Sequence, residues 1–248
     1  MIRLGVSLDA LLALREVAGG RVPDLLAAVH AVRLGGADYV VLRATAARRP
    51  TTERDVRWLV EAGVLPLHLT IEPEAALVAW AIEARPAGVV LAGPATAAGG
   101  LDVASRADET AKAVAELGAA GVPVAVATDA DEQALVAAMG AGAEAALVRT
   151  VRFAAAATED ARVDAHGKLV RACATARALG MRVRAGGGLD ETGVERVAAL
   201  SDVEAVEVGR ALVARAAFDG LARATEAFAR RARRVPAEGE AAPAEDAT

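Results

Sequence analysis

Short apolar runs alternate with longer helical patterns along almost the whole chain of 248 residues. The segment after each run carries apolar residues at helical spacing and often ends at glycine. The runs are Ile2–Ser7, Tyr39–Arg43, Leu65–Ile71, Gly88–Ala92, Val122–Thr128, Glu144–Arg149, Met181–Gly186 and Val203–Gly209. This succession predicts an α/β fold, a single-domain (β/α)8 TIM barrel. An open, doubly wound sheet uses the same alternation, but no Gly-x-Gly-x-x-Gly follows the first strand, which weakens that alternative.

Three segments depart from this alternation. Residues 15–22 and 151–167 exceed the shortest connections. We expect the first to be a loop over the barrel top or an extra turn, and the second to be a long sixth loop that could close over a site. Residues 235–248 are rich in proline, alanine and acid and lack apolar periodicity. We therefore expect a barrel over residues 1–234 and a disordered acidic tail.

Composition excludes several classes of protein. The chain is 54% hydrophobic but only 2% aromatic, so its core must consist of Ala, Val and Leu. A net charge of −5 argues against nucleic acid as a partner. The single cysteine, Cys173, excludes an internal disulfide and a cysteine-based zinc site, and it reads as a buried helix residue. No apolar run is long enough to span a bilayer, and the N-terminus lacks a signal-peptide pattern, so we expect a cytoplasmic protein with no membrane partner.

Polar side chains gather where the predicted strands end, and TIM-barrel enzymes carry their sites there. These residues are Ser7, Asp9, Arg43, His68, Thr70, Arg149, Arg184, Gly209 and Arg210. Four are arginines, which stay charged and bind phosphate or carboxylate with a planar fork. In the alternative interpretation these arginines reach outward to carboxylates such as Glu195, Glu132 or, for Arg210, Glu207. The sequence leaves the direction of Arg43, Arg149 and Arg184 open.

Three consecutive glycines, 186–188, separate the seventh strand from the next helix. Such a turn lets a ligand approach backbone N–H groups at a helix N-terminus, which favours anions, or it merely permits a tight connection. Of the three histidines, His30 and His166 read as surface or packing residues, whereas His68 could face the barrel interior. Thr51 or Thr52 is expected to cap the third helix.

Several stretches together resemble the pyridoxine 5′-phosphate synthase family from about Ile2 to Arg231. The stretches are GVSLDALLALR, PDLLAAVHAVRLGGADYV, TTERDVRWL, GGLDVASRADE, TDADEQ, RAGGGLDETGV and VEVGRALVARAAFDGL. The resemblance implies a barrel with extra helices that forms a homo-oligomer, usually an octamer. It also implies condensation of 1-deoxy-D-xylulose 5-phosphate with 3-amino-2-oxopropyl phosphate, releasing phosphate and water, with no metal and no organic cofactor.

The resemblance carries some binding positions over to this chain. It implies ligand or phosphate contacts for Asp9, Thr96, Gly188, Gly209 and Arg210, the last in place of a family histidine. Ser7 stands where the family has asparagine, and we count it and Arg43 among the candidate ligand contacts.

The family's acid–base positions are replaced. The histidine that ends strand two is Arg43, the glutamate that ends strand three is Thr70, the glutamate of strand six is Leu147, and the seventh-loop histidine is Gly187. Three other family positions are also changed, to Ala18, Thr45 and Pro50. None of the four replacements titrates near neutral pH.

Three hypotheses follow. The protein is a diverged paralogue that binds a phosphorylated small molecule, with its chemistry changed or lost. Alternatively, it is a working synthase that uses replacement groups, for which Asp9, Arg43 and His68 are the candidates. The third hypothesis is a non-catalytic oligomer partner or regulator.

Overall fold

A computed structural model describes residues 1–20, 22–94 and 100–234. Thr96 and the predicted tail 235–248 lie outside the described residues. Among the described residues no helix is long and apolar enough to cross a membrane.

Eight parallel strands form a closed barrel, which confirms the predicted fold. The strands are β1 Arg3–Ser7, β2 Tyr39–Arg43, β3 Leu67–Ile71, β4 Gly88–Leu91, β5 Val124–Thr128, β6 Ala145–Arg149, β7 Arg182–Gly186 and β8 Val203–Val208. Each pairs in parallel with the next in sequence, and β1 pairs with β8 to close the ring. All carboxyl ends of the strands therefore meet at one rim.

Eleven helices lie in the described part of the chain. They are α1 Asp9–Val17, α2 Leu25–Leu34, α3 Glu53–Ala62, α4 Ala75–Ala84, α5 Ala107–Ala119, α6 Glu132–Gly140, α7 Val151–Ala154, α8 Glu159–Ala178, α9 Glu191–Ala198, α10 Arg210–Asp219 and α11 Leu221–Ala232. Thr52 caps α3 by accepting from Asp55 N–H, and Cys173 is buried in α8, both as expected.

The prediction of loops is wrong for those residues that belong to α1, α7 and α8. Residues 15–17 continue α1, and most of 151–167 belongs to α7 and to the first half of α8. The first half of α8 is largely exposed, so it lacks the apolar face on which the prediction depended. An N-cap at Thr158, which accepts from Ala161 N–H, stabilises the start of the helix instead.

The main core lies between the barrel and the helix ring and consists of Val, Leu and Ala, with Phe153 and Phe228 as its aromatic residues. The barrel interior has two unlike halves. Between β4 and β6 it is filled by small apolar side chains such as Val90, Ala125 and Leu147. The half formed by β1–β3, β7 and β8 is polar, and it lies beneath the candidate site.

Candidate functional site

A cavity of about 300 Å³ opens at the carboxyl ends of the strands. Residues from every strand except β4 line it, together with the first residues of α1 and α10. A larger groove of about 660 Å³ lies on the outside between α9, α10 and α11. Its arginines are paired with carboxylates: Arg231 with Glu195, and Arg215 with Glu191. The rim cavity is therefore the better candidate, because function in this fold sits at the carboxyl ends of the strands.

One wall of the cavity is an ordered carboxylate, Asp9, at the start of α1. Its Oδ1 accepts from the backbone N–H of Arg43 at 2.7 Å, and its Oδ2 accepts from Ser7 Oγ at 3.0 Å. Burial raises the pKa of Asp9, although these two hydrogen bonds oppose the rise. Asp9 thus ties the ends of β1 and β2 together while its side chain borders the cavity.

Three arginines, Arg43, Arg149 and Arg210, line the cavity. Arg43 Nη1 donates to the carbonyl oxygen of Gly93 at 3.0 Å, which holds its side chain across the rim. Burial lowers the pKa of Arg43 and of Arg149, yet an arginine keeps its charge at neutral pH. Arg210 is the first residue of α10 and is exposed. The alternative in which Arg210 pairs with Glu207 at the surface is wrong, because Glu207 is buried and hydrogen-bonded inside the barrel.

Two of the glycines that line the cavity have backbone conformations that side chains disfavour. Gly187 and Gly188 have φ of 119° and 80°. A Cβ on Gly187 would lie 2.9 Å from Val151 Cγ2, and one on Gly209 would lie 3.1 Å from Ser7 Cβ. Gly209 is the N-cap of α10, whose first N–H groups have no partner within the helix and carry partial positive charge.

Beneath the cavity, four polar side chains fill the polar half of the barrel: Tyr39, His68, Arg184 and Glu207. Tyr39 Oη donates to Glu207 Oε1 at 3.1 Å, and Arg184 Nη1 lies 4.0 Å from the same oxygen. Tyr39 fits because β1 has glycine opposite it: a Cβ on Gly5 would come within 2.4 Å of the phenol ring. We call these four side chains the barrel quartet.

Within the barrel quartet His68 is held neutral. Arg184 Nη1 lies 2.7 Å from His68 Nδ1, and because arginine can only donate, Nδ1 must be the acceptor. Burial and the positive charges of Arg184 and Arg3 lower the pKa of His68 to about 3. The imidazole also stacks on Tyr39, with ring centroids 4.4 Å apart.

The structure brings most predicted site residues together. Ser7, Asp9, Arg43, Arg149, Gly188, Gly209 and Arg210 all line the cavity. Arg43, Thr70, Leu147 and Gly187, where the resemblance expects the family's acid–base groups, line it too. His68 and Arg184 do not, because both lie deeper in the barrel.

Sequence reasoning missed Glu207, which it treated as a surface carboxylate. Glu207 is 8% exposed and lines the cavity from below. The signal was available in VEAVEV, because side chains alternate along a strand and Glu207 lies two residues before Gly209 at the rim. Burial raises the pKa of Glu207, while Arg184 and Tyr39 act to lower it.

A closed barrel of eight parallel strands with an arginine-lined cavity at their carboxyl ends defines the class, a (β/α)8-barrel protein with a polar mouth. The model of the family described as pyridoxal phosphate biosynthesis protein PdxJ matches residues 4–234. This chain belongs to that family, as its motifs predicted.

Two relatives show the extent of the similarity. A pyridoxine 5′-phosphate synthase of Photobacterium profundum is 34% identical over 90% of this chain and 93% of its own length. A pyridoxine 5′-phosphate synthase of Gloeothece citriformis is 33% identical over 90% of this chain and 95% of its own length.

Among solved structures, N-(5′-phosphoribosyl)anthranilate isomerase from Pyrococcus furiosus superposes with a TM-score of 0.61 at 16% identity, covering 95% of this chain and all of that one. That likeness concerns the fold alone.

Proposed function

We propose that this protein is a diverged member of the pyridoxine 5′-phosphate synthase family that binds a phosphorylated small molecule in the rim cavity. One observation carries the proposal: Arg43, Arg149 and Arg210 line the same cavity as Gly188 and Gly209. Guanidinium forks and bare N–H groups at a helix N-terminus are the donors that phosphate prefers.

The same cavity argues against the family's condensation reaction. Proton transfer during ring closure needs groups that titrate near the working pH, and loss of one such group costs about 10²–10⁴ in rate. Here Thr70, Leu147 and Gly187 bring no titratable group to the cavity, and Arg43 stays protonated. Binding without the original chemistry is therefore the function that these residues support best.

A working synthase is the second candidate, and one observation favours it. Asp9, which is half-buried, and Glu207, which is buried, are carboxyl groups that border the cavity, so two acid–base groups remain near a bound ligand. His68 contributes little to this alternative, because its Nδ1 is occupied by Arg184 and it does not line the cavity. A non-catalytic partner or regulator is the third candidate, and it predicts no ligand in the cavity.

Calorimetry with inorganic phosphate and simple sugar phosphates tests the proposal. We expect wild type to bind, and Arg210→Ala to weaken binding about ten- to hundredfold, because charge-assisted hydrogen bonds contribute about 1.5–3 kcal/mol. Gly188→Val should also weaken it, because valine disfavours a φ of 80° and its Cβ would press on Ala154.

Arg223→Ala is the matched control, because Arg223 is an exposed arginine of α11 outside the cavity. It should bind as wild type does. Circular dichroism of Gly188→Val separates lost binding from lost folding. Absence of binding by wild type, or equal binding by both site variants, would refute the proposal.

A further inference from the structure

Glu207 is a buried carboxyl group at the floor of the cavity, and no family position accounts for it. We propose that Glu207 is the proton-accepting residue of this site: it takes up a proton when an anion enters the cavity and then donates a hydrogen bond to that anion. The proposal rests on the proposed function, because it requires an anion to bind there.

The carboxylate is held so that one oxygen remains available. Oε1 accepts from Tyr39 Oη and faces Arg184, which fixes the plane of the group. Oε2 accepts no hydrogen bond from any residue in the described part of the chain, and the side chain retains 10% exposure. Gly186 on β7 is part of this placement, since a Cβ there would lie 2.8 Å from Glu207 Cβ. Oε2 is therefore the oxygen that can receive a proton from the cavity.

The charges around Glu207 come from every neighbouring element. Arg184 on β7 and Tyr39 on β2 contact it directly, and Asp9 on α1 borders the same cavity and adds negative charge. Beyond these direct neighbours of Glu207, His68 on β3 is neutral. The positive charge of Arg3 on β1 acts to lower the pKa of both His68 and Tyr39. Arg43, Arg149 and Arg210 line the cavity itself.

Neutralisation of Glu207 by Arg184 is incomplete. The guanidinium lies 4.0 Å from Oε1 but 2.7 Å from His68 Nδ1, so its closest hydrogen bond goes to a neutral acceptor. Burial disfavours the ionised form of Glu207 before any ligand arrives, which raises its pKa.

An entering anion adds negative charge next to this carboxylate in a poorly solvated place. Like charges at short range favour the protonated form, as in paired carboxylates. The balance of the step is simple: a buffer acid gives up its proton, an O–H bond forms at Oε2, and no other covalent bond changes. The protonated group can then donate to an oxygen of the ligand, which gives the cavity an acid that the family positions no longer supply.

Sulfate is the probe, because unlike phosphate it does not itself titrate near neutral pH. Calorimetry in buffers of different ionisation enthalpy, from about pH 6 to about pH 9, measures the protons taken up per bound sulfate. Wild type should take up as much as one proton wherever in this range free Glu207 is ionised and sulfate-bound Glu207 is protonated, and its affinity should fall up to tenfold per pH unit there.

Glu207→Gln tests the residue itself, because glutamine keeps the size and still accepts from Tyr39. It should bind sulfate without proton uptake and with an affinity that does not vary with pH. Glu204→Gln is the control on the same strand: Glu204 pairs with Arg177 outside the cavity and should leave the uptake unchanged. Infrared difference spectra should show a protonated carboxyl band upon sulfate addition in wild type and not in Glu207→Gln.

The outcomes separate the two proposals. If wild type binds no sulfate, the proposed function fails and this inference fails with it. If sulfate binds without proton uptake, the inference alone fails. It also fails if the uptake persists in Glu207→Gln, since Asp9 or another group would then be the acceptor.

Discussion

Arg184 is the residue on which the polar half of the barrel depends. It is 7% exposed, and its guanidinium bridges the neutral His68 and the carboxyl group of Glu207. Buried charges need partners, because the desolvation of an unpaired ion is expensive. The barrel quartet is thus a single electrostatic unit directly beneath the cavity.

Arg184→Met should lower the free energy of unfolding by about 3–5 kcal/mol, because it leaves Glu207 without its cation. Arg182→Met, two residues earlier on the same strand and exposed, should change it by less than about 0.5 kcal/mol. The double variant Arg184→Met/Glu207→Gln should lose less than the sum of its single changes, because no buried charge remains. Urea unfolding measures wild type, both single variants, the double variant and the Arg182→Met control, and additive losses would show that the two side chains do not interact.

At the scale of elements, α1 is fixed across the rim by a buried ion pair with α3. Arg15 reaches Asp55 with both ends of its fork, Nη1 to Oδ1 at 2.9 Å and Nη2 to Oδ2 at 2.6 Å. Asp55 also completes the capping box of α3 by accepting from Thr52 N–H. Since Asp9 lies at the start of α1, this pair holds one wall of the cavity in place.

Asp55→Asn should destabilise the protein by about 3–5 kcal/mol at neutral pH, because Arg15 would remain buried without its carboxylate. Burial acts to raise the pKa of Asp55, but the hydrogen bonds from Arg15 and Thr52 outweigh it and hold the pKa below its usual range. The contribution is therefore complete above about pH 4 and is lost as pH falls through the folded-state pKa.

Thermal unfolding at several pH values measures this difference. The stability difference between wild type and Asp55→Asn should shrink on acidification. The control Glu159→Gln, in an exposed pair with Arg162, should change stability by less than about 1 kcal/mol at every pH. A difference between Asp55→Asn and wild type that stays constant down to acid pH would contradict the assignment.

The elements show where sequence reasoning succeeds and where it fails. The strand runs were predictable because a parallel barrel buries its strands on both faces, which leaves short unbroken apolar stretches. The first half of α8 could not be predicted in this way, since it is largely exposed and carries no apolar periodicity. The cap at Thr158 followed by Glu159 was the remaining local signal for that helix.

At the scale of the whole molecule, the rim could be predicted but the interior could not. The carboxyl ends of the strands meet at the mouth, which located Asp9, Arg43, Arg149 and Arg210. Which side chains meet inside depends on the register of eight strands, so the contact between Tyr39 and Glu207, 168 positions apart in sequence, has no local signature. The octamer implied by the family resemblance and the disordered tail after residue 234 stay predictions.

The central claim is that this barrel keeps the family's binding cavity and has lost its condensation chemistry. The most direct test supplies purified protein with 1-deoxy-D-xylulose 5-phosphate and 3-amino-2-oxopropyl phosphate and measures pyridoxine 5′-phosphate. The relative from Photobacterium profundum, 34% identical, is assayed in parallel as the reference. We expect no detectable product from this protein, while calorimetry shows that it binds phosphorylated compounds. Turnover of about one per second, within the ordinary range of enzymes, would contradict the claim and establish a working synthase with replacement groups.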